Sequence, residues 1–416
     1  MNNDELQILG AEKPKKKNKV VITIISLVVL LAIGGIYYAL SSKQPEKIKS
    51  GKKMGEPTIV PELQWAVDSL LNAQMTEIGN CLQGQAIVME VQTGEILAMV
   101  GLERNFEGKF QTCKNFGYQQ ELGSLMKTAS LLTLFEKGID SSYVVHTGEG
   151  IWGVSDSWIV KDHNWRRGGY GDMNLARALE VSSNIGIGVP VWEAYKGHEQ
   201  DFFDDLNKMS FGQPDFIDGI EGLKPTTYDS PKDSDWVNKF IIWSAIGYNR
   251  KIAPIQMLTF YNAIANDGKM VKPTLKTGEI EIINPQVASK DNIKKMQVIL
   301  EHVVSQGLGR KAGTPILRVA GKTGTSQVNE YDYYNEVGTP LAEYQLAFCG
   351  YFPAEAPKYS IIVSMNKLGL PASGGGMAGV VFSEIVEWMI CHDMPTVLVV
   401  DEEKNDTTKL TEKMIK

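Results

Sequence analysis

The longest unbroken apolar stretch comes early in the chain. Val20 to Leu40 is 21 residues without a charge, which as a helix rises about 31 Å and matches a hydrocarbon core of about 30 Å. It predicts a single membrane-spanning helix (20–40), preceded by a short tail (1–19) and followed by a polar, Lys-rich tether (41–57). A cleaved signal peptide would find small residues around Ala39-Leu40-Ser41. Its apolar region is normally only about 7–15 residues long, so an uncleaved anchor is the expectation. Lys13, Lys15, Lys16, Lys17 and Lys19 are denser than the lysines beyond the span. The positive-inside tendency then puts the N-terminus in the cytoplasm and the body outside.

Past the tether the periods shorten. Gln85 to Val91 and Glu95 to Val100 are β-rich runs joined around Thr93-Gly94, a hairpin signal. Ser124 to Lys137 reads SLMKTASLLTLFEK and stops at Gly138, a helix C-cap position. This helix is apolar on nearly every face, so it should lie inside the domain. Strand character resumes at Leu317 to Gln327, Gln345 to Phe352 and Lys358 to Met365, and Ala378 to Met389 reads as a closing helix. Early strands, a helical middle and late strands predict one α+β domain (58–392) whose sheet joins both ends of the chain, ahead of a charged tail (393–416). Val328 to Tyr344 carries Tyr331, Tyr333, Tyr334 and Tyr344 and reads as a surface loop rather than a lid.

Charge then narrows the function classes. Residues 61–416 hold 32 basic and 44 acidic residues, a net −12, which argues against a nucleic-acid partner because phosphate binding needs a basic face. Cys81, Cys113, Cys349 and Cys391 lie far apart with no Cys-x-x-Cys pair, and the five histidines form no His-Glu-x-x-His. Neither a metal nor any other cofactor is expected, and the cysteines read as buried thiols.

A serine nucleophile needs a base, and Ser-x-x-Lys at a helix start puts both side chains on one face. Ser124 and Lys127 meet that geometry. Lysine serves as a base only when deprotonated, so the site must lower its pKa by desolvation or a nearby cation. Ser50-Gly51-Lys52-Lys53 and Ser364-Met365-Asn366-Lys367 match the same spacing. The first lies in the tether and the second ends a predicted strand, where i and i+3 face opposite ways. Ser182-Ser183-Asn184 follows the helical stretch ARALEV and offers a hydroxyl and an amide at alternate positions, or simply a loop cap. Lys322-Thr323-Gly324-Thr325 continues a strand with a cation, two hydroxyls and a Gly that lets substrate backbone approach, suited to clamping a carboxylate. Lys276-Thr277-Gly278 is a rival copy spoiled by Glu279. A phosphate loop at Gly321-Lys322-Thr323 fails because Ile316 replaces the required first Gly.

Ser-x-x-Lys, Ser-x-Asn and Lys-Thr-Gly in that order resemble the set found in serine acyltransferases that act on penicillins and cell-wall peptides. The chain resembles the transpeptidase domain of class B penicillin-binding proteins over roughly residues 58–390, through TGEILAM (93–99), APIQMLTFYNAIANDGKMVKP (253–273), VAGKTGTSQ (319–327) and FCGYFPAEAPKY (348–359). The resemblance implies an antiparallel sheet flanked by helices with an all-α lobe. By it, Ser124 would attack the bond between two terminal D-alanines of a peptidoglycan stem peptide, and β-lactam antibiotics would acylate the same residue. Lys127 would take the serine proton, Ser182 would pass one to the leaving amine, and Asn184 would hold the peptide amide. Lys322, Thr323, Gly324 and Thr325 would bind the terminal carboxylate, and the N–H groups of Ser124 and Thr325 would form the oxyanion hole. A membrane-embedded glycan polymerase is the implied partner. Two departures stand out: only the short tether occupies the place of the family's usual pedestal module, and Leu122 stands where the family favours Pro. A D,D-carboxypeptidase, a β-lactamase and a non-catalytic scaffold of a wall-synthesis complex are the competing readings.

Overall fold

The computed structural model describes residues 54–155, 158–226, 234–278, 280–334, 340–392 and 394. The expected tail 1–19, span 20–40, most of the tether and residues 395–416 lie outside the described residues, as does the Ser50 copy of the serine–lysine motif. Gly55 and Glu56 are already tied to the body, their N–H groups donating to the Thr277 carbonyl and hydroxyl oxygens.

Helix α1 (Pro61–Ile78) opens the body with Pro61 at its first turn, where the missing N–H is no loss. The predicted hairpin follows as β1 (Cys81–Glu90) and β2 (Ile96–Arg104), with the short β3 (Phe110–Thr112) beside β2. Gly94 supplies the turn's positive φ of 78°. A 3₁₀ turn, Gly123–Leu125, runs into α2 (Met126–Glu136).

The helical middle comprises α3 (Leu175–Glu180), α4 (Asn184–Tyr195), α5 (Glu199–Lys208), α6 (Ser234–Ile246), α7 (Pro254–Ala265) and α8 (Lys290–Ser305). Short antiparallel pairs punctuate it: β4 (Val144–His146) with β7 (Asp172–Asn174), β5 (Ile151–Ser155) with β6 (Trp158–Lys161), and β8 (Met270–Val271) with β9 (Ile282–Asn284). The chain then returns to the sheet as β10 (Ala320–Tyr334), β11 (Pro340–Phe352) and β12 (Tyr359–Leu368), and ends in α9 (Gly379–Cys391).

The six-stranded sheet is antiparallel throughout, in the order β10-β11-β12-β1-β2-β3. The β1–β12 pairing joins the two ends of the domain, as the element order predicts. Alternation along the strands feeds two cores. Ile87, Met89, Cys349, Tyr351 and Ile362 face the helical lobe. Their neighbours Ala86, Val88, Phe348, Phe352, Ile361 and Val363 face α1 and α9. Leu63, Val67, Leu71 and Met75 of α1 are fully buried there, each contributing about 1.5–3 kcal/mol.

Two features differ from the sequence reading. Val328–Tyr344 is not a surface loop in its described part, because β10 and β11 continue through it as a hairpin with Tyr334 opposite Pro340. Its Val and Tyr residues favour extended backbone, and register shifts beyond Gln327 and Asn329 absorb the mismatch. Among the described residues, one helical stretch, Gly374–Cys391, is long and apolar enough to cross a bilayer. Val381, Phe382, Ile385, Val386 and Met389 instead fill the core behind the sheet.

Candidate active site

The site forms where the start of α2 meets β10. Gly123 adopts φ +55°, and a side chain on it would come within 2.7 Å of the Thr325 carbonyl. Gly247 presses against Gly123 from the other side with no room for a methyl group. These approaches wedge Ser124, half-buried, between the strand and the 247 turn. Leu122, in the place the family gives to Pro, is buried and accepts the Leu125 N–H at 3.4 Å. Tyr261 of α7 holds the same turn, its hydroxyl donating to the Leu125 carbonyl at 2.9 Å and lying 2.6 Å from the Thr128 hydroxyl.

Lys127 follows one turn later and is fully buried, as are all its neighbours from Met126 to Phe135. Its Nζ donates to the Ser182 carbonyl and to Asn184 Oδ1, both at 2.7 Å, and lies 3.4 Å from Ser182 Oγ. Lys322, also fully buried, approaches from β10 and donates to Ser182 Oγ and to the Thr323 carbonyl, both at 2.9 Å. Residues 55 and 140 positions apart thus share one hydroxyl. Among the described residues the Ser124 hydroxyl has no hydrogen-bond partner.

Burial disfavours an ammonium at Lys127 and pushes its pKa down to about 7, against a smaller opposing pull from the Asp162 carboxylate. Lys322 is driven well below the ordinary lysine range, by burial first and then by the Lys127 charge. Two buried amines this close disfavour double protonation, which is what a lysine base requires.

The remaining expected residues are near, with some of their valences taken. Asn184 Nδ2 donates to the Lys161 carbonyl at 2.8 Å while its Oδ1 serves Lys127. Thr323 Oγ1 lies 3.3 Å from Lys322 Nζ. Thr325 is exposed and its Oγ1 accepts the Gly374 N–H at 3.0 Å. A side chain on Gly324 would meet the Leu122 carbonyl at 2.5 Å, so the strand runs hard against the nucleophile's turn.

The rival motifs stay apart. Ser364 sits in β12, its hydroxyl accepting from Gln120, and Lys367 Nζ donates to the Leu368, Gly369 and Pro371 carbonyls. Lys276 pairs with Asp218 on the surface.

Two parts of the site escaped the sequence reading. Asp162, 1% exposed, braces the Ser182–Asn184 turn. A lone Asp between Lys161 and His163 has no spacing that marks it. The π-turn Gly374–Ala378 packs against β10. Its Gly374-Gly375-Gly376 run was a visible signal of close backbone approach.

With this geometry in hand, likeness to known proteins becomes specific. A curated "Peptidoglycan D,D-transpeptidase FtsI homolog" from Mesostigma viride is 24% identical over 75% of this chain and 57% of its own. "Penicillin-binding protein H" of Bacillus subtilis is 28% identical over 73% of this chain and 47% of its own. The chain spans about half the length of these relatives. Among solved structures, the apo transpeptidase domain of Burkholderia pseudomallei penicillin-binding protein 3 superposes with a TM-score of 0.68 at 25% identity, covering 84% of this chain and all of that one. Residues 84–387 match the family described as the penicillin binding protein transpeptidase domain. That span contains the Ser124 turn, both buried lysines and every strand of the sheet but the first residues of β1, and the chain belongs to this family.

Proposed function

We propose that the chain is a peptidoglycan D,D-transpeptidase with Ser124 as its nucleophile. One observation carries the reading: Lys127, one turn after the half-buried Ser124, and Lys322, from an element far away in sequence, converge on the Ser182 hydroxyl. A neutral lysine amine has two N–H donors and one lone pair. The two 2.7 Å bonds from Lys127 to the Ser182 carbonyl and Asn184 Oδ1 consume both donors. The lone pair remains to take a proton, and the Ser182 hydroxyl at 3.4 Å lies beside it.

In the reaction, Ser124 Oγ attacks the carbonyl between the terminal D-alanines as Lys127 Nζ accepts its proton. Ser182, in reach of both lysines, relays a proton to the departing D-alanine amine. Lys322, Thr323, Gly324 and Thr325 take the terminal carboxylate, and the N–H groups of Ser124 and Thr325 stabilise the oxyanion, each such donor being worth about 3–4 kcal/mol. An acceptor amine then attacks the ester, forms the cross-link and restores Ser124 with its proton. Asn184 holds the peptide amide. β-Lactams acylate Ser124 because their ring amide occupies the place of the scissile bond. The enzyme works on the outer face of the cytoplasmic membrane, anchored by Val20–Leu40 and supplied with glycan by a membrane-embedded polymerase.

The test is mass spectrometry after labelling with penicillin, followed by transfer from a donor ending in D-Ala-D-Ala. Label should sit on Ser124 and vanish in Ser124→Ala. The ratio of aminolysis to hydrolysis should rise with amine concentration. A ratio near zero with a native stem peptide makes the enzyme a carboxypeptidase, and fast penicillin turnover makes it a β-lactamase. An impermeant penicillin probe reaching the protein only from outside tests its orientation.

A further inference from the structure

The turn that presents Ser182 is held from two sides: its own backbone bonds, Ser182 N–H to the Leu179 carbonyl at 3.1 Å and Ser183 N–H to the Ala178 carbonyl at 2.8 Å, and a buried carboxylate beneath it. Ser182 has φ +55°, in the left-handed region that a residue with a side chain rarely adopts. The turn lies between the end of α3 at Glu180 and the start of α4 at Asn184. Asp162, on the loop after β6, is driven under it. Asp162 Oδ1 accepts the backbone N–H of Asn184 at 2.6 Å and of Ile185 at 3.2 Å. Ser183 Oγ lies 3.0 and 2.8 Å from its two oxygens and itself caps α4 by accepting the Gly186 N–H at 2.7 Å. A carboxylate at a helix N-terminus is favoured by the first-turn N–H groups. Two backbone N–H groups and one hydroxyl, from three consecutive residues, thus converge on one carboxylate.

The same carboxylate faces a cationic pocket. Its charge acts on Lys127 from α2 and on His163 and Tyr170 from its own loop; Lys322 of β10 and Arg167 act in turn on His163, and Arg167 and Arg177 of α3 on Tyr170.

We propose that Asp162 is a positioning residue of the transpeptidation site: it braces the Ser182–Asn184 turn and supplies the negative charge that faces buried Lys127. The inference rests on the functional reading above and adds a residue to it. Asp162 touches no reacting atom. It acts by fixing where the Ser182 hydroxyl and the Asn184 amide meet the lysines. It also keeps Lys127 basic enough to accept a proton, since burial alone would drive that pKa lower still.

The experiment compares Asp162→Asn with the wild-type chain. Asn keeps the shape and the Oδ1 acceptor but removes the charge. Penicillin acylation should fall about ten- to a hundredfold at its plateau. Its acidic limb should move about one pH unit lower, because Lys127 now loses its proton more readily. The lysine ¹³Cε NMR titration of Lys127, assigned with Lys322→Arg, should shift in the same direction. Asp162→Glu, which keeps the charge but displaces it, should lose rate with the limb unmoved. Ser183→Ala, which removes one brace and leaves the charge, should do the same and serves if Asp162→Asn does not fold. Superimposable Lys127 titrations in wild type and Asp162→Asn, or undiminished acylation in both Asp162→Glu and Ser183→Ala, overturn the proposal. A wild-type chain that penicillin does not label at Ser124 sinks the functional reading instead, and the NMR comparison still decides the role of Asp162.

Discussion

Gly374→Ala is a small change that should reach the site from behind it. Gly374 begins the π-turn ahead of α9 and donates its N–H to Thr325 Oγ1 at 3.0 Å. A methyl carbon built on it would lie 2.5 Å from the Ala347 carbonyl oxygen, 2.9 Å from the Gly324 carbonyl carbon and closer still to the Gly324 oxygen. Ordinary contact is about 3.5 Å or more, so the turn and β10 must part by about 1 Å. Every opposing atom is backbone of a paired strand, and none can rotate away. Overpacking of this kind costs about 1–3 kcal/mol, and the hydrogen bond to Thr325 adds about 1 kcal/mol if lost. A functional cost of similar size should accompany it, because Gly324 and Thr325 would shift relative to Ser124. A misplacement of about 1 Å costs about 10²-fold in rate. The assay is stopped-flow penicillin acylation with urea denaturation on the same preparation. Gly278→Ala is the control, since a methyl group there meets nothing within 4 Å. Gly374→Ala acylating within twofold of wild type, with an unchanged urea midpoint, would refute the argument that the π-turn sets the position of β10.

The acylation rate should fall on acidification through about pH 7, because protonation removes the Lys127 lone pair; a rate still climbing at pH 10 contradicts this. Stability carries the opposite face of the same burial. Free lysine titrates near 10.4, so from about pH 7 to 8.5 the unfolded chain binds more protons and stability rises with pH, by up to about 1.4 kcal/mol per unit for each proton difference. Above that, the raised pKa values of buried Cys349 and Tyr261 work against it, and a urea midpoint that falls steadily from pH 7 refutes the lysine account. Phe382→Ala, which removes a fully buried ring packed at 4.7 Å against Phe348, should cost about 3–5 kcal/mol in urea denaturation. A loss under 1 kcal/mol would mean that the core behind the sheet closes over the gap. Ser364→Ala should leave penicillin labelling of Ser124 complete, and lost labelling with an intact fold would bring the rival motif into the site.

Local patterning settled the parts of this protein whose physics is local. The segment from Met126 to Phe135, apolar on nearly every face, already required a buried helix, and that burial foretold a depressed Lys127. β-Rich runs at both ends of the domain, with a helical middle between, implied a sheet that closes the chain on itself. The order of the three short motifs, read by resemblance, brought Ser124, Ser182 and Lys322 together on paper. Only the tertiary structure decided how they meet. The Asp162 brace beneath the left-handed Ser182 and the double lysine contact to its hydroxyl depend on atoms 22, 55 and 140 positions apart. No period or spacing encodes them. The Val328–Tyr344 hairpin shows the same limit in another form. Its residues favour extended backbone, yet a strand exists only when a partner supplies hydrogen bonds. That partner is the facing strand, met in a register that shifts away from the one in the sheet below. Propensity and burial pattern are properties of a few neighbouring residues, whereas close backbone approach, shared hydrogen bonds and buried charge belong to the packed chain.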